Sequence, residues 1–259
     1  MKNRLASIAV AAGIAAAISP TFADNAANVS PAERAKIEGV VHQYLLKNPQ
    51  VIVEVIQILQ KKQADQAQQT VQETKKVAAS FAKALFHVDN DPMAGNPNGK
   101  VTVVEFFDYQ CPHCVDMAPV IDSIIKANPD VRVVFKEFPI RGPMSEAAAR
   151  AALAANMQGK YLVFSHAILN ANKPLTDEFI LETAKNAGLD VDKLKKDMNS
   201  KAVKDQLEAN IKLAKDLKLI GTPAIFVGKS SASGKDPINY IPGQADPAQL
   251  QGVINQAKQ

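Results

Sequence analysis

Two cysteines separated by two residues constrain this chain more than any other feature. A Cys-Pro-His-Cys motif at residues 111–114 contains both cysteines of the protein. It directly follows residues 101–108, which are rich in β-branched and aromatic side chains, as is typical of a buried strand. Apolar residues then recur at helical spacing from 115 to 126. The first cysteine is therefore expected where a strand ends and a helix begins.

This position favours redox chemistry. Unpaired N–H groups and the dipole at a helix N-terminus stabilise a thiolate, so a cysteine there has a lowered pKa. Pro112 suits the first helical turn, because the N–H that proline lacks would have no partner there. A positive charge on His113 would further favour the thiolate. We interpret Cys111 and Cys114 as a redox dithiol.

Other uses of the pair fit the sequence less well. A zinc site needs two further ligands, but there is no third cysteine and His42, His87 and His166 show no paired spacing. A c-type haem site requires histidine directly after the second cysteine, where Val115 stands. A structural disulfide across two residues closes too small a loop to stabilise the fold much. We expect no metal and no cofactor.

The N-terminus has the pattern of a secretory signal peptide. A basic start is followed by an apolar run over residues 5–18 and by small residues ending at Ala23. We expect cleavage after Ala23 and export, most simply to a bacterial periplasm, where disulfides persist. The formal net charge of +4 is mild and no basic block occurs, so nucleic acid is not an expected partner.

Residues 30–59 predict two short amphipathic helices, the first beginning with a capping box at Ser30 and the second after Asn48-Pro49. Each carries an apolar stripe; the members are Ile37, Val40, Val41, Tyr44 and Leu45, then Ile52, Val55, Ile56 and Leu59. Two short helices cannot bury both stripes by themselves, so a partner surface is expected.

Residues 60–76 are strongly polar, contain no glycine or proline and are rich in helix-forming residues. A solvent-bridging helix between two modules is the favoured interpretation, and a disordered glutamine-rich tract is the alternative. Apolar spacing from 64 to 85 favours one continuous helix whose end docks on another part of the protein. Turn-forming pairs over 91–99 then predict a loop and the boundary of the main domain.

The remaining chain predicts an α/β domain. A second strand over 131–138 completes a βαβ unit with a parallel pair. Residues 142–219 predict several helices and no strand. Strands are expected again at 222–228 and 238–241, followed by a closing helix over 247–257. A proline at the head of a strand is either an ordinary strand-starting residue or a cis proline at a functional turn. Position alone does not decide, and the frequency of cis bonds favours the ordinary strand-starting residue.

Three separated motifs resemble the DsbA-like branch of the thioredoxin superfamily. They are Glu-Phe-Phe-Asp-Tyr-Gln-Cys-Pro-His-Cys at 105–114, Lys-Glu-Phe-Pro at 136–139 and Gly-Thr-Pro at 221–223. The resemblance covers residues 100–258 and implies a thioredoxin fold with a helical insertion.

The N-terminal part is similar in pattern to a subgroup of secreted DsbA-like proteins with an N-terminal helical oligomerisation segment. The implied organisation is a signal peptide at 1–23, an oligomerisation segment and linker helix at 24–90, and a catalytic domain at 91–259. This resemblance implies a homodimer or homotrimer.

The resemblance also assigns roles to single residues. It implies that Cys111 is the exposed nucleophile, that Cys114 is the buried resolving cysteine, and that Pro223 is a cis proline which helps to bind substrate backbone. Thr222, directly before Pro223, resembles the corresponding residue of disulfide isomerases, whereas the Cys-Pro-His-Cys sequence resembles the oxidases.

A further implied role concerns Glu105, which matches a buried carboxylate that accepts the proton of Cys114. Taken without the resemblance, Glu105 would be a strand residue pointing to solvent. Lys136 is placed by a looser match as the cation that neutralises Glu105.

The implied activity is thiol–disulfide exchange that forms or isomerises disulfide bonds in exported proteins. Its partners would be proteins with thiols or wrong disulfides. Oxidation would need a DsbB-type membrane partner, and isomerisation a DsbD-type one. The alternative function is that of a periplasmic chaperone or surface antigen with an incidental dithiol.

Overall fold

A computed structural model describes residues 29–171 and 173–259. The predicted signal peptide lies outside the described residues. The chain divides into two compact units, one ending at Lys61 and the other beginning at Lys62. Within the described ranges, no helix is both long enough and apolar enough to cross a membrane.

The first unit contains helix α1, Pro31–Lys47, and the start of helix α2, Gln50–Val77. The capping box forms as predicted: Ser30 Oγ accepts from the backbone N–H of Glu33, whose carboxylate accepts from the backbone N–H of Ser30. No residue of α1 is buried. Eleven of the large apolar side chains of the two helices are between 45% and 69% exposed, among them Ile37, Val40, Tyr44, Ile52, Ile56 and Leu59.

Helix α2 joins two predicted elements, because the second short helix and the polar segment form one helix of 28 residues. Its C-terminal part belongs to the second unit, in which buried Thr74 donates a hydrogen bond to the Leu217 oxygen over 2.8 Å. A 3₁₀ turn, Ala78–Phe81, and helix α3, Ala82–Phe86, follow. The expected helix thus docks at its end but does not run uninterrupted to residue 85.

The second unit is built on a five-stranded sheet of order β1-β3-β2-β4-β5 among the described residues. The strands are β1 Met93–Gly95, β2 Val101–Phe107, β3 Val131–Glu137, β4 Ala224–Lys229 and β5 Asn239–Pro242. Strands β2 and β3 pair in parallel, and the other neighbours are antiparallel. The sequence predicts a loop where β1 lies, because three residues beside Pro92 are too few to show alternation.

Helix α4, Pro112–Ala127, connects β2 to β3 and confirms the βαβ unit. The predicted helical insertion lies between β3 and β4. Its helices are α5 Pro143–Asn156, α6 Tyr161–Leu169, α7 Asp177–Asn186, α8 Val191–Asp197 and α9 Lys201–Asp216. Helix α10, Pro247–Ala257, ends the fold. The sheet with this insertion is the expected thioredoxin-like architecture.

Strand alternation divides the side chains of β2 and β3 between two cores. Val103 and Phe107 face the core formed with α4, α5 and α6, whereas Val104 and Phe106 face the core formed with α3 and α9. Lys136 pairs in register with Phe106. Successive β3 side chains therefore point to opposite faces of the sheet, and Lys136 lies on the face of Phe106.

Candidate active site

Cys111 is the N-cap residue of α4, at the junction that the sequence predicts. Its backbone is extended, with φ −87° and ψ 115°, and Pro112 occupies the first helical turn. The carbonyl of Cys111 accepts the N–H of Cys114 over 3.0 Å, which closes the first turn. The second cysteine therefore lies one turn along the helix from the first, and both thiols are free.

The Thr222–Pro223 peptide bond, which directly precedes β4, is cis. The Cys111 thiol donates a hydrogen bond to the Thr222 main-chain oxygen over 3.2 Å. This contact brings the third sequence motif to the dithiol, as the resemblance implies. Among the described residues, the buried hydroxyl of Thr222 has no hydrogen-bond partner.

The expectation that Cys111 is exposed is wrong for this conformation. Cys111 is 0% exposed and Cys114 is 1% exposed. The reason is local, since the Cys111 sulfur turns inward to the carbonyl of Thr222. Pro112 and His113, between the cysteines, are the exposed residues of the motif.

The two thiols differ strongly in acidity. Burial alone would raise the pKa of Cys111, but hydrogen bonds that the Thr222 side chain and Cys114 can donate to the thiolate, together with the positive charge of Arg141, outweigh it, so this pKa is lowered. Burial raises the pKa of Cys114, and negative charge on Glu105 or Cys111 raises it further. Cys111 is therefore the thiol of the pair that ionises first, and Cys114 is the one that stays protonated.

Arg141 is a functional candidate that the sequence alone does not single out. His113, the expected cation, lies at the surface with Nδ1 3.3 Å from the Gln244 Oε1 atom. Arg141 instead supplies positive charge that lowers the pKa of Cys111. It belongs to the loop after β3, distant in sequence from the motif, so no local pattern indicates its proximity.

Asp108 holds that loop against the site. One oxygen of this buried carboxylate accepts the N–H groups of Ile140 and Arg141 over 2.7 and 2.9 Å. The other accepts the Gln110 N–H and the Ser145 hydroxyl, each over 2.7 Å. Because Asp108 contacts both the turn before α4 and the loop after β3, it fixes Arg141 near Cys111.

Glu105 lies beneath the dithiol rather than in solvent. It is 4% exposed, and it lines a cavity of about 10 Å³ together with Cys114. Burial, followed by the negative charge of a Cys111 thiolate, raises the pKa of Glu105 to about 8. A carboxyl group of this acidity beside a buried thiol can exchange a proton with it near neutral pH.

The expected pairing of Lys136 with Glu105 is wrong. Lys136 forms a buried ion pair with Asp91. Strand alternation explains the difference, because the Lys136 side chain leaves β3 on the face opposite to that of Glu105 on β2. The carboxyl group of Glu105 thus has no counter-ion among the described residues.

A second buried carboxyl group, Glu137, shares the face of Glu105. Its Oε1 atom accepts the hydroxyls of Tyr161 and Tyr109 over 2.7 and 3.1 Å, and the buried Oε2 has no partner within residues 29–171 and 173–259. Burial raises the pKa of Glu137 to about 8, with Asp108 and Glu105 adding to the effect. Glu137 occurs in the Lys-Glu-Phe-Pro motif, but the sequence does not reveal its burial. No cluster of three or more metal-binding side chains occurs in the described ranges.

Comparison with known families gives two matches in this chain. The DSBA-like thioredoxin domain matches residues 102–254, more than half of the chain. The copper resistance protein ScsC N-terminal domain matches residues 33–66. The two matched regions follow each other along the chain, as the predicted helical segment and catalytic domain do.

Individual relatives agree with the family matches. The thiol:disulfide interchange protein DsbA of Burkholderia cepacia is 30% identical over 175 residues, covering 65% of this chain and 82% of that protein. A thioredoxin-like oxidoreductase from Silicibacter pomeroyi is 38% identical, with a TM-score of 0.63 over 68% of this chain and 96% of that one. BcfH from Salmonella enterica Typhimurium is 34% identical, with a TM-score of 0.65 over 88% of this chain and 97% of that one.

Proposed function

This chain belongs to the DsbA-like thioredoxin family of thiol:disulfide oxidoreductases, and on that premise we propose that it forms and isomerises disulfide bonds in exported proteins. The observation that carries the proposal is the opposite shift of two pKa values within one dithiol. Cys111 is the more acidic thiol and Cys114 the less acidic one. Such a pair separates the role of nucleophile from that of resolving thiol.

In the oxidising direction, a substrate thiolate attacks Cys111 of the enzyme disulfide. A substrate–Cys111 bond forms, the bond to Cys114 breaks, and the Cys114 sulfur takes up a proton from Glu105. A second substrate thiolate then attacks the mixed disulfide and displaces Cys111 as a thiolate. The lowered pKa of Cys111 makes it a good leaving group and stabilises the reduced enzyme, so the enzyme disulfide is an effective oxidant.

In the isomerising direction, the reduced enzyme starts the exchange. The Cys111 thiolate attacks a wrong disulfide, and the released substrate thiolate attacks elsewhere in the substrate until Cys111 is displaced again. If the complex stalls, Cys114 attacks Cys111 and releases a reduced substrate. The contact of Thr222 with Cys111 and the cis bond to Pro223 support a role for these two residues in substrate binding.

The ScsC-type N-terminal segment supports a homodimer or homotrimer in which several dithiols act on one substrate. Periplasmic location after removal of the signal peptide fits this chemistry. Electrons would pass to a DsbB-type membrane partner during oxidation, or arrive from a DsbD-type partner during isomerisation.

Disulfide exchange with the purified protein lacking residues 1–23 tests the proposal. We expect oxidation of a dithiol peptide, reduction of insulin, and recovery of activity from a scrambled disulfide protein. Cys111→Ser should abolish all three activities, whereas Cys114→Ser should accumulate mixed disulfides with substrate. A protein that binds unfolded chains without exchanging disulfides would contradict the proposal and favour a chaperone.

A further inference from the structure

We propose that His166 is the proton outlet of the buried active-site cavity, passing the proton that Cys114 gives to Glu105 out to solvent. The inference rests on the proposed roles of Cys114 and Glu105, and it adds a residue from the helical insertion to the reaction. His166 contacts the cavity on one side and reaches the surface on the other.

The two helices that enclose the cavity bring these groups together. Cys114, Ala118 and Ile121 follow one face of α4 at spacings of four and three residues, and all three line the cavity. Ser165 and His166 of α6 line it from the opposite side. Glu105 of β2 completes the polar part of the lining.

The same arrangement continues to the surface. The Nε2 atom of His166 lies 3.7 Å from Asp122 Oδ1, and the two side chains are 33% and 42% exposed. Asp122 lies four residues after Ala118 on α4, so it continues the row of Cys114 and Ala118 toward solvent. His166 therefore links the cavity that holds Glu105 to an exposed carboxylate.

The cavity volume of about 10 Å³ lies at the lower limit for holding one water molecule. Glu105, Ser165, His166 and Cys114 offer the two to four polar partners that a buried water requires. One water in this position carries a proton from the carboxyl group to the imidazole. Imidazole is the side chain best suited to accept and release protons near neutral pH.

The outlet matters most when a mixed disulfide is resolved. The Cys114 thiol gives its proton to the Glu105 carboxylate, and its sulfur attacks Cys111. The Cys114–Cys111 bond forms, the bond from Cys111 to the substrate breaks, and its electron pair leaves on the substrate sulfur. The enzyme dithiol is oxidised and the substrate disulfide is reduced. Glu105 must first be unprotonated, so near neutral pH its proton must leave before this step.

Few other ionisable groups face this route. Asp122 and Cys114 come from α4, and Glu105 comes from β2. Ser165 accepts the Tyr109 hydroxyl over 3.1 Å and so connects the cavity to the Glu137 cluster, which is itself buried. Among the described residues that line the cavity, His166 is the one whose partly exposed side chain lies within 3.7 Å of a partly exposed carboxylate, that of Asp122.

In the test, the reduced protein lacking residues 1–23 reacts with glutathione disulfide. Samples are quenched with acid, and the glutathione adduct is measured by mass spectrometry. His166→Gln should leave adduct formation at Cys111 unchanged. It should slow adduct resolution by about tenfold, less than the roughly 10²-fold typical of direct general acid–base catalysis, because Glu105 remains. Imidazole added to the buffer should restore the rate. The equilibrium constant with glutathione should not change.

Two further variants sharpen the test. Asp122→Asn keeps the imidazole and should slow resolution less than His166→Gln, while His42→Gln, exposed on α1, should change nothing. Unchanged resolution in His166→Gln, or slow resolution that imidazole does not restore, would overturn the outlet. A wild-type protein that forms no adduct at Cys111 would instead contradict the proposed function.

Discussion

The Cys111 thiol donates a hydrogen bond to the main-chain oxygen of Thr222 over 3.2 Å, while the buried hydroxyl of the same threonine has no partner in the part of the chain that the structure describes. Ionisation of Cys111 removes the proton of that bond and leaves a thiolate beside an unused O–H donor. Hydrogen bonding from Thr222 is the largest of the effects that lower the pKa of Cys111. The residue before the cis proline thus tunes the thiolate directly.

Thr222→Val should raise the pKa of Cys111, because valine keeps the shape of threonine but has no donor for the thiolate. Loss of one hydrogen bond to a charged group costs about 1.5–3 kcal/mol, so the rise should be roughly one pKa unit or more. The measurement is the pH dependence of Cys111 alkylation in a Cys114→Ser background.

Thr222→Ser is the matched control, since serine retains the hydroxyl. It should keep the Cys111 pKa close to that of the parent protein. Equal pKa values for the valine and serine variants would show that the hydroxyl does not act on the thiolate.

Arg141→Gln should also raise the pKa of Cys111, since the variant loses a positive charge that favours the thiolate. The rise should stay below about one unit, because Arg141 is exposed and water screens its charge. A less stable thiolate makes the reduced enzyme less favoured, so the enzyme disulfide should become less oxidising in equilibrium with glutathione.

Lys126→Gln provides the control for net charge, because it removes a positive charge from the last turn of α4, at the end of that helix opposite to Cys111. It should leave the redox equilibrium unchanged. If both variants shifted the equilibrium equally, the effect would belong to net charge and not to the position of Arg141.

The strands and most helices follow from sequence pattern, but the contacts of the site do not. Alternation and spacing identify β2, α4 and β3 because each is long and apolar on a defined face. The motif with Pro223 could be assigned to the dithiol only through the family resemblance, since more than 100 residues separate it from Cys111. Tertiary packing, not local pattern, decides that contact.

The ion pair of Lys136 is a second contact that the sequence pattern does not predict. Lys136 and Glu105 both lie near the active-site end of adjacent strands, and a loose match suggested that they pair. The parallel register puts Glu105 opposite Phe135, so the neighbouring Lys136 faces away and binds Asp91 instead. A shift of one residue in register moves every side chain of the strand to the other face of the sheet. Sequence patterns leave an uncertainty of about one residue in the register, so they do not decide which side chains share a face.

Glu105→Gln should make the protein more stable at alkaline pH while slowing resolution at Cys114. The pKa of Glu105 rises from 4.5 to about 8 on folding because burial disfavours its charge. The contribution of Glu105 to the free energy of unfolding, measured as wild type minus variant, is therefore fully present below pH 4.5. It is lost as the pH rises to about 8. The upper bound of this loss is about 5 kcal/mol, at 1.36 kcal/mol per unit.

Urea unfolding of the reduced proteins at several pH values measures this difference. Glu182→Gln, on the exposed surface of α7, is the control and should give a difference from wild type that does not vary with pH. A pH-independent difference for Glu105→Gln would mean that this carboxyl group does not change its protonation on folding.

The last prediction concerns oligomerisation through the N-terminal unit. Ile52 and Ile56 lie one turn apart on α2 and are 45% and 47% exposed, although both are apolar. The ScsC-type match over residues 33–66 includes both, and their burial between protomers would stabilise an oligomer by about 1 kcal/mol or more per half-exposed side chain. Replacing both by Glu would place charges in that interface, which is costly when unpaired. We expect the Ile52→Glu, Ile56→Glu protein to be a monomer by light scattering at micromolar concentration.

The double variant should still oxidise a dithiol peptide, because its catalytic unit is unaltered, but it should recover scrambled proteins poorly. The control is Gln60→Glu, which adds a charge to the same helix at an exposed polar position. It should keep both the oligomer and the isomerase activity. A wild-type protein that is already monomeric would refute the oligomer, and a monomeric variant with full isomerase activity would show that reshuffling needs only one dithiol.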